Sequence, residues 1–105
     1  MNPSSGSAAP YKVSYAGRVL AELKGLVARA VRIGRGQQVL DAVKIIDNRL
    51  TIYPQFGEPL RDLVTQGETL WIATVPPLTV QYVIDEQHRL VFVVVPLRPL
   101  PNAGL

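Results

Sequence analysis

The chain has 105 residues, no cysteine and a formal net charge of +3. That length fits one domain, and the missing thiol excludes disulfides, thiolate metal sites and a cysteine nucleophile. A hydrophobic share of 48% against a charged share of 18% excludes an intrinsically disordered chain.

In chain order, "MNPSSGSAAP" (1–10) lacks the basic n-region and apolar h-region of a secretory signal. It reads as a flexible leader before a single domain over 11–105. No run reaches the roughly 18 apolar residues a membrane span needs, so no membrane partner is expected and the expected location is cytoplasmic. "YKVSY" (11–15) alternates Tyr11, Val13 and Tyr15 and predicts a first strand. In 16–33, Val19, Leu23, Leu26 and Ala30 recur at helical steps, with Leu20 and Val27 widening the stripe. Gly17 and Gly25 cost this helix about 1 kcal/mol each relative to alanine, so packing must hold it. "GRG" (34–36) breaks the chain with the residue type favoured at a left-handed helix end. A second helix is predicted from Gln37 to Tyr53, with Val39, Val43, Ile46, Leu50 and Tyr53 on its stripe. Pro54 stops it. Two helices joined by so short a turn predict an antiparallel hairpin.

Beyond Pro54 the period changes to two. "PQFGEP" (54–59) reads as loop, followed by strands at 60–64, 69–75, 78–84 and 90–95. Turns fall at 65–68, at Pro76–Pro77 and at "DEQHR" (85–89). Tyr82 shares parity with Val80 and Ile84 and belongs to the core. The final strand is apolar throughout, which predicts a central strand covered on both faces. The proline-rich tail reads as irregular. The fold class is α+β, a helical hairpin packed on a mainly antiparallel β-sheet in the order β-α-α-β-β-β-β.

Eight of the eleven basic residues fall before residue 50. Arg29, Arg32 and Arg35 around the helical turn are candidates for attracting nucleic acid; the alternative is a solvated helical surface. Trp71 stacks on a base or is buried against the helices. His88, the single histidine, lies in a polar turn and reads as solvated. One imidazole without thiolates supplies no transition-metal site, and neither metal nor cofactor is expected.

"LKGL" (23–26), "LTIYPQFGEPLRDL" (50–63) and "VQYVIDEQHRLVFVVV" (80–95), in this element order, resemble the RelE/ParE superfamily of bacterial type II toxins. The resemblance implies a small growth-inhibiting toxin neutralised by a cognate antitoxin. The antitoxin helix would lie on the apolar strands and the groove beside the helices. RelE-like members cut mRNA at the ribosome without a metal, and ParE-like members inhibit DNA gyrase. Metal-free cleavage needs a base, an acid and cations for the phosphorane charge. At the positions matching the family's lysines stand Thr69 and Trp71, Leu78 replaces an arginine, and no tyrosine follows Arg98. Arg61 and Arg98, facing one phosphate, remain as catalytic candidates. The expectation is a toxin acting on translation through a degenerate endoribonuclease set. A gyrase inhibitor and an inert interaction module of the same fold are the alternatives.

Overall fold

The 3.6-residue stripes become helices α1 (Gly17–Arg32) and α2 (Gly36–Ile52). The structure, a computed structural model, describes residues 9–65 and 68–105, with the backbone alone for 61–65 and 68. The expected leader therefore lies outside the described residues except for Ala9 and Pro10. Val19, Leu26 and Ala30 of α1 and Val39, Ala42, Ile46 and Leu50 of α2 are buried. Among the described residues no helix is long and apolar enough to cross a membrane.

The helical turn is closed by backbone alone. Arg35 N–H donates to the Ala30 carbonyl (2.7 Å) and Gly34 N–H to that of Val31 (3.1 Å), the paired bonds of a Schellman ending. Gly34 sits at φ 77°, where a Cβ meets the following carbonyl. Gly34→Ala is expected to cost about 1–2 kcal/mol, read as a melting temperature lower by roughly 5–10 °C. An unchanged melt would mean that the turn relaxes. Gly36 brings the second helix close to the first, since a Cβ there would lie 2.5 Å from Val31 Cγ2.

The strands are β1 (Lys12–Tyr15), β2 (Glu58–Thr65), β3 (Glu68–Val75), β4 (Leu78–Asp85), β5 (Leu90–Val93) and β6 (Arg98–Pro99). Their order is β1-β5-β4-β3-β2, with β6 also paired to β4. β1 runs parallel to β5 and every other pair is antiparallel. The sheet is therefore mixed, and α2 lies across it while α1 packs mainly on α2. Ala73, Val75, Leu78, Val80, Tyr82, Val91 and Val93 form the buried sheet surface. Directly paired residues share a face, so this is one continuous side, with Trp71 opposite Tyr82 and Ile84 opposite Val91.

Several expectations change. β2 begins at Glu58, so Pro59 lies inside a strand; an edge strand tolerates the missing N–H. Pro54–Phe56 is a 3₁₀ turn. Tyr53, placed on the apolar stripe, is 59% exposed, because α2 ends at Ile52 and the backbone leaves helical geometry there. The expected turn at 65–68 lies partly outside the described residues. β5 is central but covered on one side only: Val91 and Val93 are buried, while Leu90 and Phe92 are half-exposed. The tail is anchored rather than irregular. β6 pairs with β4, Leu97 is buried, Leu100 N–H donates to the Pro77 carbonyl (2.8 Å), and Leu105 packs on the core.

Candidate functional site

Alternation along the strands fixes what the helix-free sheet face displays. Leu60, Leu70, Val83 and Phe92 are cross-strand partners in one row, with Ile72 and Leu90 on either side. All six are half-exposed. Polar residues frame them. Thr79, paired with Thr74 and Arg98, closes one end, and Ser14 pairs with Phe92. Lys12, opposite Leu90, and Arg98 lie towards the β1 and β6 margin, while Glu58, opposite Ile72, lies on the β2 margin. A sheet face carrying an apolar band inside a polar frame is suited to binding a surface. Gln81, opposite Ile72, and Asp85, opposite Leu90, lie on this face too, so its described ionisable groups, Lys12, Glu58, Asp85 and Arg98, stand around the apolar row.

The positions matched to the family's catalytic cations face the other way. Leu78 is fully buried, and Trp71 packs against the core on the helix side. The parity that puts Trp71 and Ala73 on the covered face puts the neutral Leu70 and Ile72 on the open one. Of Arg61 and Arg98, expected to face one phosphate, the structure gives the backbone positions. Arg61 follows Leu60 on the outer strand β2, whereas Arg98 stands opposite Thr79. Three strand spacings and four to five residues separate their backbones, about 20 Å of sheet. The Arg61 side chain lies outside the described ones.

The three turn arginines differ in their contacts. Arg35 Nη1 donates to the Ala103 carbonyl (3.2 Å) and its guanidinium lies beside Gly104, so it anchors the C-terminal segment. Arg29 and Arg32 are exposed in the last turn of α1, where their charge complements the helix dipole.

A cavity of about 480 Å³ is lined by Thr69, Trp71, Ile84 and the β4–β5 turn. His88 is not simply solvated there. Asp85 Oδ1 accepts the His88 backbone N–H (3.1 Å), and Asp85 Oδ2 lies 2.9 Å from His88 Nδ1. Hydrogen bonds from the His88 ring and backbone hold the Asp85 carboxyl below the ordinary carboxylate range. A carboxylate on Nδ1 fixes the tautomer and leaves Nε2 free to take a proton. The three-residue spacing of Asp85 and His88 was the one sequence signal for this pair; it reads equally as an ordinary turn. Glu86 also lines the cavity, and its charge opposes a phosphate there.

On the helical side, Leu20, Leu23 and Val43 floor a groove of about 520 Å³ that Lys44, Asp47 and Asn48 also line. At its end the Tyr15 hydroxyl donates to Asp47 Oδ1 (2.7 Å). Burial, followed by that hydrogen bond and the carboxylate charge, pushes the Tyr15 phenol well above its ordinary range. No family model, curated protein or solved structure matches the chain.

Proposed function

We propose that this chain is a toxin of the RelE/ParE superfamily, cytoplasmic and held by a cognate antitoxin, that inhibits growth by binding a protein target in the manner of the gyrase inhibitors. The observation that carries this reading is the apolar, cation-poor sheet face on the side away from a helical hairpin. A face that cleaved RNA would present cations where phosphate charge develops, and the described open-face positions between Arg98 and Lys12 hold none. The antitoxin contribution is an amphipathic helix laid in the groove beside Leu20, Leu23 and Val43, with an acidic residue meeting Lys44.

The endoribonuclease reading has one specific support, the Asp85–His88 pair beside Trp71. There His88 would act as base and Trp71 as the stacking surface. Induced expression in a bacterial host, following labelled-methionine incorporation and plasmid supercoiling together, separates the two. The expected result is loss of supercoiling with translation initially intact, unaffected by His88→Ala. A prompt fall in translation with cut mRNA, abolished by His88→Ala, would establish the endoribonuclease instead. No growth effect from folded protein would leave an interaction module.

A further inference from the structure

We infer that the cavity between the start of α2 and the C-terminal segment is a binding site for a small organic carboxylate with an apolar body. The site is independent of the toxin reading, which uses other surfaces. The cavity holds about 490 Å³, within the range of small-molecule sites. Three stretches far apart in the chain build it: the N-terminal turn of α2, the β3–β4 turn and the segment after β6. Its apolar wall is Pro76, Pro77, Leu100 and Pro101. Leu100 N–H donates to the Pro77 carbonyl (2.8 Å) and Ala103 N–H to that of Leu100 (3.0 Å). The wall is therefore tied in place without a ligand, which lowers the ordering cost of binding.

The polar groups of the cavity favour an anion. Arg35, Gln38 and Asn102 line it, with no acid beside them. Arg35 uses Nη1 on the Ala103 carbonyl (3.2 Å). Among the described residues the one ion pair joins Asp85 and His88, so no carboxylate there neutralises the Arg35 guanidinium. α2 starts next to Arg35 with no side-chain cap and no acid in its first turn, which leaves the positive end of its dipole uncompensated. Asp41 lines the adjoining groove and accepts a hydrogen bond from Gln37 Nε2 (2.8 Å).

A single guanidinium offers a forked pair of N–H donors, which matches a planar, singly charged carboxylate. A phosphate dianion calls for further cations, and the lining has none. The amides of Gln38 and Asn102 add N–H donors, and the proline rings with Leu100 receive the apolar body. Arg35 and Gln38 are exposed, so water screens the attraction. A ligand of about ten non-hydrogen atoms should then bind with a dissociation constant of about 0.1–1 mM.

The test is nuclear magnetic resonance on the nitrogen-15-labelled full chain at neutral pH. The probes are 3-phenylpropionate and its uncharged amide, 3-phenylpropionamide. The acid should shift the backbone signals of Gln38, Asn102 and Ala103 and the side-chain N–H signals of Arg35, Gln38 and Asn102, saturating at about 0.1–1 mM. The amide should bind at least tenfold more weakly. Arg35→Gln should weaken the acid at least tenfold. Because that change also removes the bond to Ala103, Gln38→Glu is the second variant. It sets a like charge in the cavity and leaves the Arg35 contact, and should weaken the acid about tenfold with no loss of melting temperature. No saturable shift up to about 20 mM, or equal binding of acid and amide, would overturn the inference. So would shifts centred on the groove beside Leu20 or on the open sheet face, or variants that both bind the acid as the parent does.

Discussion

Gly57→Ala is expected to destabilise the protein by about 3–5 kcal/mol, from overpacking together with a lost buried hydrogen bond. A Cβ on Gly57 would lie 2.5 Å from the Ile72 carbonyl oxygen, 2.6 Å from the Tyr82 hydroxyl and 3.0 Å from Ala73 Cβ. All three are backbone or buried core atoms, so no flexible side chain can swing away. The Tyr82 hydroxyl donates to the Pro54 carbonyl at 2.6 Å, and the Phe56 ring stacks 6.3 Å from that of Tyr82. Moving the loop outward breaks that bond and leaves the Pro54 oxygen buried without a donor. Urea unfolding measures the effect as a midpoint shift. Tyr82→Phe provides the comparison, since it removes only the hydrogen bond and should cost about 1–3 kcal/mol. If Gly57→Ala cost less than Tyr82→Phe, the close approach would not be what fixes the loop. The consequence reaches the functional surface, because this loop sets where β2 begins and hence where Glu58 and Leu60 stand.

Much of the architecture was legible because burial is periodic. The stripe Val19–Leu26–Ala30 and the alternation of Val80 and Tyr82 specify which side of each element is inside. The period loses its authority where an element ends. Tyr53 continues the arithmetic of α2, but the backbone at that position is already non-helical (φ −148°). An all-apolar strand is ambiguous in a different way. "LVFVVV" predicted cover on both faces, yet only the side bearing Val91 and Val93 is covered. Hydrophobicity cannot distinguish a face filled by the same chain from one left for a partner. The anchored tail was illegible because its hydrogen bonds use its own backbone groups, the Leu100 N–H donating to Pro77 and the Ala103 carbonyl accepting from the Arg35 guanidinium, and these carry no signature in the tail residues. The site was least legible of all. Matching Thr69, Trp71 and Leu78 to catalytic cations depends on register, and one residue of slip exchanges the covered and open faces. The pairing of Trp71 with Tyr82 and of Val75 with Leu78 places that set inward, and so moves attention to Leu70, Ile72, Val83 and Phe92.

Raising the pH from 10 to 12 is expected to remove about 2–3 kcal/mol of stability through Tyr82, since each pKa unit of difference is worth about 1.4 kcal/mol. Burial pushes the Tyr82 phenol up to about 12 from its ordinary 10.0, against the opposing pull of a hydrogen bond from the Gly57 backbone. Below pH 10 the phenol is protonated in both folded and unfolded chains, and its contribution is fully present. Between 10 and 12 the unfolded chain releases this proton while the folded chain keeps it, so stability falls as pH rises. Ionisation would put a negative charge into the core and remove the donor to Pro54. Tyr15 acts with the same sign, because burial and Asp47 raise its phenol too. Urea midpoints at pH 8, 10, 11 and 12 test this against Tyr82→Phe. At pH 8 the variant should be less stable than the parent, by the worth of the lost hydrogen bond. Towards pH 12 the two curves should converge, because the variant has no phenol to titrate. The part of the phenolate absorbance near 295 nm that Tyr82→Phe removes should rise together with unfolding rather than before it. Parallel stability curves across the whole range would show that Tyr82 titrates without opposing the fold, and that its hydroxyl is not closed in by Gly57, Pro54 and Phe56.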